Sequence, residues 1–296
     1  MGIELNAERR TPMAERKIAL LTDSTCDLTD EELKENGIRM VPMRIVYEDR
    51  EYRDRRDIIL SQVLDGLDTE VPHSSLPLPE DVMDCLTGII AEGYTDVLYI
   101  CVSSQLSGTF QMMRMLETQY PDLRFHGIDS RSMSMGVGFL ALEAAKALKK
   151  SSDLSMIIKR LEKMREETRT FFAMPTLKYL RLGGRIGAVA AVLGTTLNLK
   201  PLITISPEGR FVTAAKVRGF QNAVTRMEQA AVRHFGRRPI HLAVAHADAP
   251  EAAQSLSDRL HQALNVVQSH LRQISPVLGV HSGPGLLGIV AYPELA

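Results

Sequence analysis

Short continuous apolar runs alternate with segments of helical spacing along most of the chain. Residues 17–23 (KIALLTD) and 97–102 (VLYICV) have the length and composition of strands buried on both faces. Residues 29–36 predict a helix, with Thr29 and Glu32 placed for a capping box and Gly37 to close it. Residues 38–47 predict a second strand, followed by a charged hairpin, EDREYRDRRD, and a helix over 57–67. Three prolines hold residues 71–79 extended. Helices follow over 79–92 and from Phe110 onward, with a strand at 123–129 and a small-residue loop leading into an apolar helix.

The second half continues the alternation. An amphipathic helix over 154–168 bridges to a strand at 169–175. Strands at 200–205 and 210–218 flank a Pro207-Glu208-Gly209 turn. A helix over 222–235, a strand at 240–246 and a helix over 250–264 come next. The terminal VLGVHSGPGLLGIV reads as a short strand, a glycine-rich turn bearing His281, and another strand. The pattern predicts an α/β protein of two α/β lobes, residues 16–168 and 169–296, the first built on a mostly parallel, doubly wound sheet. Residues 1–15 are polar and charged and predict a mobile extension.

Chemistry concentrates where the central strand runs into Ser103-Ser104-Gln105-Leu106-Ser107-Gly108-Thr109 and then a helix. A helix start offers unpaired N–H groups and partial positive charge, so it can hold an anion. Ser104, Ser107 and Thr109 add hydroxyl donors, and Gly108 permits close backbone approach. Ordinary helix capping explains the same residues, and both readings stand at this level. A nucleophile elbow is excluded by Gln105 and Thr109 around Ser107, and a Walker loop by the lack of lysine after Gly108. Ser74 and Ser75, on the proline-held segment, are a second source of hydroxyls.

Composition narrows the classes. The chain has 296 residues, formal net charge -1, 45% hydrophobic residues and no Trp, so no basic field favours nucleic acid. Fourteen methionines can line an adaptable apolar cavity or simply fill a core. Three widely separated cysteines have no zinc spacing and suit a reducing compartment. No apolar run approaches the ~18 residues of a membrane span, and the N-terminus does not read as a signal peptide, so a cytoplasmic location is expected.

Other polar groups carry weaker signals. Asp23 to Asp27 at the end of the first strand invite a phosphotransfer reading, but helix capping suffices, and no lysine or second acidic cluster supports it. Arg181 and Arg185 flank Gly183-Gly184 and can form a cationic anion contact or sit on a solvated face. His246 and Asp248 share a strand face that His241 does not, which makes a poor metal set. His281 can donate to an anion, act as a base, or be structural.

TDSTCDL, SSQLSGTFQ, DSRSMSMGVG, LKYLRLGGRI, LKPLI followed by Glu208-Gly209 and KVRG, and HSGPGLLGI occur in this order. Together they closely resemble the DegV family of fatty-acid-binding proteins. The resemblance implies two lobes with a long-chain fatty acid between them, its tail in an apolar tunnel and its carboxylate on hydroxyls and backbone amides. It implies a carrier that presents the acid to a separate fatty acid kinase for acyl-phosphate formation in phospholipid synthesis, with no cofactor and no more than transient membrane contact. Carried over by motif, the carboxylate contacts are Ser74, Ser75, Ser104, Ser107, Gly108, Thr109 and His281, with Ser104 favoured and Ser103 alongside. Arg181 and Arg185 are then expected to face the partner or a phosphate. Ser74 stands where the family has Thr, and Leu76 where it has Gln. Two other classes stay open: an acyl or phosphoryl transferase with Ser107 as nucleophile and His281 as base, and a lipid-liganded sensor.

Overall fold

The structure, a computed structural model, describes residues 16–192 and 199–295. The expected N-terminal extension therefore lies outside the described residues. The first sheet is parallel, in the order β2-β1-β6-β7, from β1 (Ile18–Asp23), β2 (Ile38–Val41), β6 (Asp96–Cys101) and β7 (Arg124–Asp129). The chain moves outward from β1 to β2 and then to β6 on the other side, so a topological switch lies between β1 and β6. Ligands collect outside the carboxyl ends of strands at such a point. Helices α3 (Pro79–Ala91) and α4 (Thr109–Leu116) pack on one face. Helices α1 (Asp30–Glu35), α5 (Met135–Leu148) and α6 (Leu154–Glu167) pack on the other. The predicted capping box of α1 is present, with Thr29 and Glu32 bonding each other's backbone N–H.

The second sheet has six strands in the order β10-β9-β8-β13-β11-β12. These are β8 (Arg169–Ala173), β9 (Leu199–Ile205), β10 (Phe211–Arg218), β11 (Pro239–His246), β12 (Asn265–Gln273) and β13 (Leu287–Pro293). Its outer face carries α8 (Phe220–Phe235) and α9 (Pro250–Ala263), whose apolar stripes bury Val224, Met227, Leu256 and Leu260. Its inner face meets the α5 layer through Ala243, Val290 and Tyr292.

A small antiparallel sheet, β4-β3-β5, is inserted after β2: β3 (Arg44–Val46), β4 (Glu51–Arg53) and β5 (His73–Ser75). The sequence predicted one strand over 38–47. The structure divides it at Pro42, which has no N–H for a ladder, and the next N–H, of Met43, goes to Ser24 Oγ at 3.0 Å. Helix α2 (Leu60–Gly66) joins this insertion, and α7 (Lys178–Leu182) follows β8.

His281 lies on a helix rather than in a turn. The stretch expected to be strand and turn forms α10 (Pro276–Ser282). Ser275 is its N-cap residue, Pro276 opens it, and Gly283 ends it at φ 64°. Two buried carboxylates hold its start: Asp27 accepts the Ser275 N–H at 2.8 Å, and Asp54 accepts the Val277 N–H at 2.9 Å. Asp27 itself adopts a left-handed φ of 52°, which Asp tolerates. It also accepts the Ser134 hydroxyl. The second oxygen of Asp54 is buried with no hydrogen-bond partner among the described residues. Burial pushes the Asp27 carboxyl up to about 6 and that of Asp54 up to about 7. Arg55 moderates both shifts, and Ser24 stands close enough to Asp54 to help without hydrogen-bond geometry.

This gives stability a pH dependence of known sign. A carboxyl raised from an ordinary value of about 4 holds more proton in the folded than in the unfolded chain, so its contribution falls as pH rises toward the folded value. Asp54→Asn keeps an acceptor for Val277 and removes the titration. Its stability relative to wild type should increase as pH rises from about 4 to about 7, then stay level. Urea unfolding of both proteins across that range measures the difference, in which other titrating groups cancel. A pH-independent difference would show that Asp54 does not titrate there.

Candidate functional site

A cavity of about 230 Å³ lies between the carboxyl ends of β1 and β6 and the inner face of the six-stranded sheet. Met43, Val102, Phe172, Met174, Ile274 and Val277 are among its walls, and most of its lining is apolar. From Leu286, just before β13, the lining residues run through Gly288 to Val290, a span of ~13 Å at strand rise. At one end Thr170 and Val290 are buried; at the other Ser74, Ser75, Ser107 and Arg185 retain accessible surface, and His281 is partly accessible although its ring is buried. The cavity is therefore mainly apolar, with Thr25, Ser134, Thr170 and Ser282 as buried polar residues in its walls and a cluster of more accessible polar residues at one end.

The open end is built by chain segments far apart in sequence. Strand β5 pairs Ser74 with Ile45 and Ser75 with Arg44, which fixes both serines on a rigid edge. Helix α10 brings His281 to Ser74, with Nε2 and Oγ 2.7 Å apart. The other ring nitrogen, Nδ1, finds no hydrogen-bond partner among the described residues. It lies so close to Gly183 that a Cβ there would sit 2.1 Å away. An N–H in that position would be buried without an acceptor, so we place the proton on Nε2, donating to Ser74. The Ser74 hydroxyl then keeps its own proton for the cavity. Burial, followed by the charge of Arg185 and by His73, pushes the His281 ring down to about 3. The ring is neutral at physiological pH, and the pair presents a hydroxyl donor without a net charge.

The central loop divides its serines by task. Ser104, favoured from the sequence as an anion donor, is exposed and gives its hydroxyl to Asp129 at 2.6 Å, away from the cavity lining. Ser103 is buried and donates to the Gly209 carbonyl at 2.8 Å. Arg210 Nε reaches Gln105 at 2.8 Å, and Arg185 Nε reaches the Leu106 carbonyl at 3.3 Å. These contacts staple the loop to its own sheet and to the opposite one. Ser107 is the loop serine that lines the cavity, and its Oγ bonds Thr109 Oγ1 at 2.9 Å. Thr109 is buried behind it, and Gly108 caps α4 beside Leu76, whose side chain lines the cavity.

Arg181 is exposed and outside the lining, whereas Arg185 lines the cavity while donating to the Gly183 carbonyl at 2.8 Å. The two arginines, grouped together by sequence, are thus separated. Asp23 is buried at the strand end, where it accepts the N–H groups of Thr25 and Val102. His246 accepts the Ala249 N–H at 3.3 Å, and His241 stacks on Tyr292. Among the described residues no group of three or more His, Cys, Asp or Glu is placed to hold a metal.

Sequence reading missed Gly183 as a site residue. The Gly183-Gly184 pair invites a turn, and Gly184 supplies the left-handed φ of 71°. Gly183 has a helix-like φ of −73°, so the facing imidazole, with the Tyr179 carbonyl oxygen 3.2 Å from where a Cβ would lie, explains the missing side chain.

The fold and site define an α/β protein with a mainly apolar ligand cavity closed by neutral hydrogen-bond donors and one arginine. A DegV family profile, described as an uncharacterised protein family, matches residues 17–294. The chain belongs to the DegV family. It is 36% identical to a DegV domain-containing protein of Clostridium perfringens over 95% of this chain and 100% of that one. A Thermus thermophilus DegV family protein, whose structure is described in terms of fatty acid binding, matches with TM-score 0.87 and 31% identity over 94% of this chain and 99% of that chain. Bacillus subtilis DegV, described as a fatty acid binding protein, matches with TM-score 0.84 and 27% identity over 95% and 100%. No helix among the described residues is long and apolar enough to cross a membrane.

The geometry generates one test of the histidine. Gly183→Ala costs no backbone strain but forces the His281 ring to move. It should break the Ser74 contact and destabilise the fold by about 1–3 kcal/mol, as overpacking does. Histidine side-chain NMR should show loss of the bonded Nε2 proton signal. An unchanged signal would mean the ring is not held by this glycine.

Proposed function

We propose that the chain binds one long-chain fatty acid, with its tail in the cavity and its carboxylate at the open end. The observation that carries this reading is the Ser74–His281 pair at the mouth of a mainly apolar cavity. Ser107 and Ser75 supply further hydroxyls, backbone near Gly108 and Thr109 lies alongside, and Arg185 supplies positive charge. The fatty-acid binding described for the Thermus and Bacillus relatives points the same way. Buried methylenes at ~0.8 kcal/mol each give a long tail on the order of 10 kcal/mol gross, before association costs. The tail supplies affinity, and the polar end supplies orientation.

The finer reading is a cytoplasmic carrier that presents its acid to a separate fatty acid kinase for phospholipid synthesis. The polar residues at the cavity's accessible end support it, because a kinase must reach the carboxylate. Exposed Arg181 is the better candidate for a partner or nucleotide phosphate, and Arg185 for the acid itself. Autonomous acyl transfer is less well supported. His281 pairs with Ser74 rather than Ser107, its Nδ1 has no orienting partner among the described residues, and a ring held near 3 is a poor base at neutral pH.

Protein purified from a bacterial host should carry about one fatty acid per chain. Organic extraction and mass spectrometry test this. Repeatedly lipid-free preparations that also refuse added palmitic and oleic acids would overturn the proposal. Ser74→Ala and His281→Ala should each weaken palmitate binding by roughly 1–3 kcal/mol in folded protein. Arg181→Glu should leave bound lipid unchanged and slow kinase-coupled turnover, whereas Arg185→Glu should lower lipid content. Equal lipid content in wild type and Arg185→Glu would remove Arg185 from the carboxylate site.

A further inference from the structure

Strand β13 lies inside the six-stranded sheet, and Gly288 sits within it, paired with Phe172 on one side and Ala245 on the other. A glycine in a buried strand interior weakens the strand and packs nothing. Other buried glycines have reasons in the protein. A Cβ at Gly138 would lie 2.5 Å from the Cys26 carbonyl oxygen, and one at Gly279 would lie 2.3 Å from Leu60. Gly288 has no such reason. It is not among the positive-φ residues, and a Cβ there would meet its nearest described neighbours at 3.5 Å or more, an ordinary contact.

The direction of that absent side chain explains it. Its Cβ would point toward the Cβ atoms of Phe172 and Ala245, all three of which line the cavity. On the same face Leu286 and Val290 stand before and after it, while Leu287 and Ile289 face the α8–α9 layer. Glycine beside alanine thus makes a trough in the cavity floor between two branched side chains. A strand-interior glycine that no backbone or packing need explains marks close approach of a ligand.

We propose that Gly288 is a specificity-determining residue that sets the length of acyl chain the cavity accepts, the tail crossing its Cα on the way to Val290 and Thr170. This rests on the fatty-acid reading above and adds the position at which chain length is read. A side chain at 288 would shorten the channel from its middle and leave the carboxylate end untouched. Each methylene excluded costs roughly fourfold in affinity, from ~0.8 kcal/mol per buried methylene.

The test uses full-length Gly288→Ala and Gly288→Val. The alanine variant should fold at least as well as wild type, since its Cβ fits and the unfolded chain is restricted. Affinities for myristic, palmitic and stearic acids, with mass spectrometry of co-purified lipid, give the readout. The stearate-to-myristate affinity ratio should fall by roughly fourfold or more in the alanine variant and further in the valine variant. Unchanged chain-length preference in folded, lipid-bearing alanine variant would overturn the proposal while leaving fatty-acid binding intact. So would a valine variant that folds and binds acids of every length equally weakly. A wild type that binds none of the three acids would sink the fatty-acid reading itself, and this inference with it.

Discussion

The mouth of the cavity depends on two carboxylates buried at the start of a seven-residue helix. Asp27 and Asp54 lie in the half of the chain that builds the parallel sheet, and they accept N–H groups from Ser275 and Val277, more than two hundred residues later. Those N–H groups belong to a helix terminus and would otherwise be buried without partners, so the carboxylates satisfy donors and oppose the helix dipole together. The cost is that both acids sit where burial disfavours their charge. Through this contact α10 is fixed against the first sheet, and His281, one turn further on, is brought to Ser74.

Once His281 is placed, the chemistry at the mouth follows from neutrality. A charged imidazole would bind a carboxylate more strongly, as charge-assisted bonds do. The environment prevents this, because the ring is buried beside Arg185, and the proton it keeps is committed to Ser74. The positive charge that remains is partly spent, since Arg185 also donates to the carbonyls of Leu106 and Gly183. An anion at this mouth would meet oriented hydroxyls and a shared guanidinium rather than a dedicated bidentate pair.

The sequence showed local features well and distant ones poorly. Strand–helix alternation, the α1 capping box and the hairpin around Pro207-Glu208-Gly209 are written in neighbouring residues and appear as expected. VLGV is apolar with two β-branched residues and so predicts strand, while the groups that cap helix α10 arrive from Asp27 and Asp54. The same limit governs the loop serines. SSQLSGT offers three similar serine hydroxyls, and only the tertiary partners decide among them: Gly209 takes Ser103, Asp129 takes Ser104, and Ser107 is left to the cavity. Gly183 was invisible as a site residue because its neighbour Gly184 already accounts for the turn.

Glycine illustrates how the protein separates precision from adaptability. At position 183 the missing Cβ makes room for an imidazole whose angle matters, so the fit is tight and a protein atom fills the space. At position 288 the space opens into the cavity, between Phe172 and Ala245, and Met133 and Met174 line that same cavity. Methionine side chains rearrange at low cost, so the walls can follow the shape of what lies between them. A rigid polar end and a yielding apolar interior suit a ligand whose head group is constant and whose chain varies. The two ends are also held by different forces: buried hydrogen bonds, which fail if one partner moves, and apolar contact, which degrades gradually with each methylene lost.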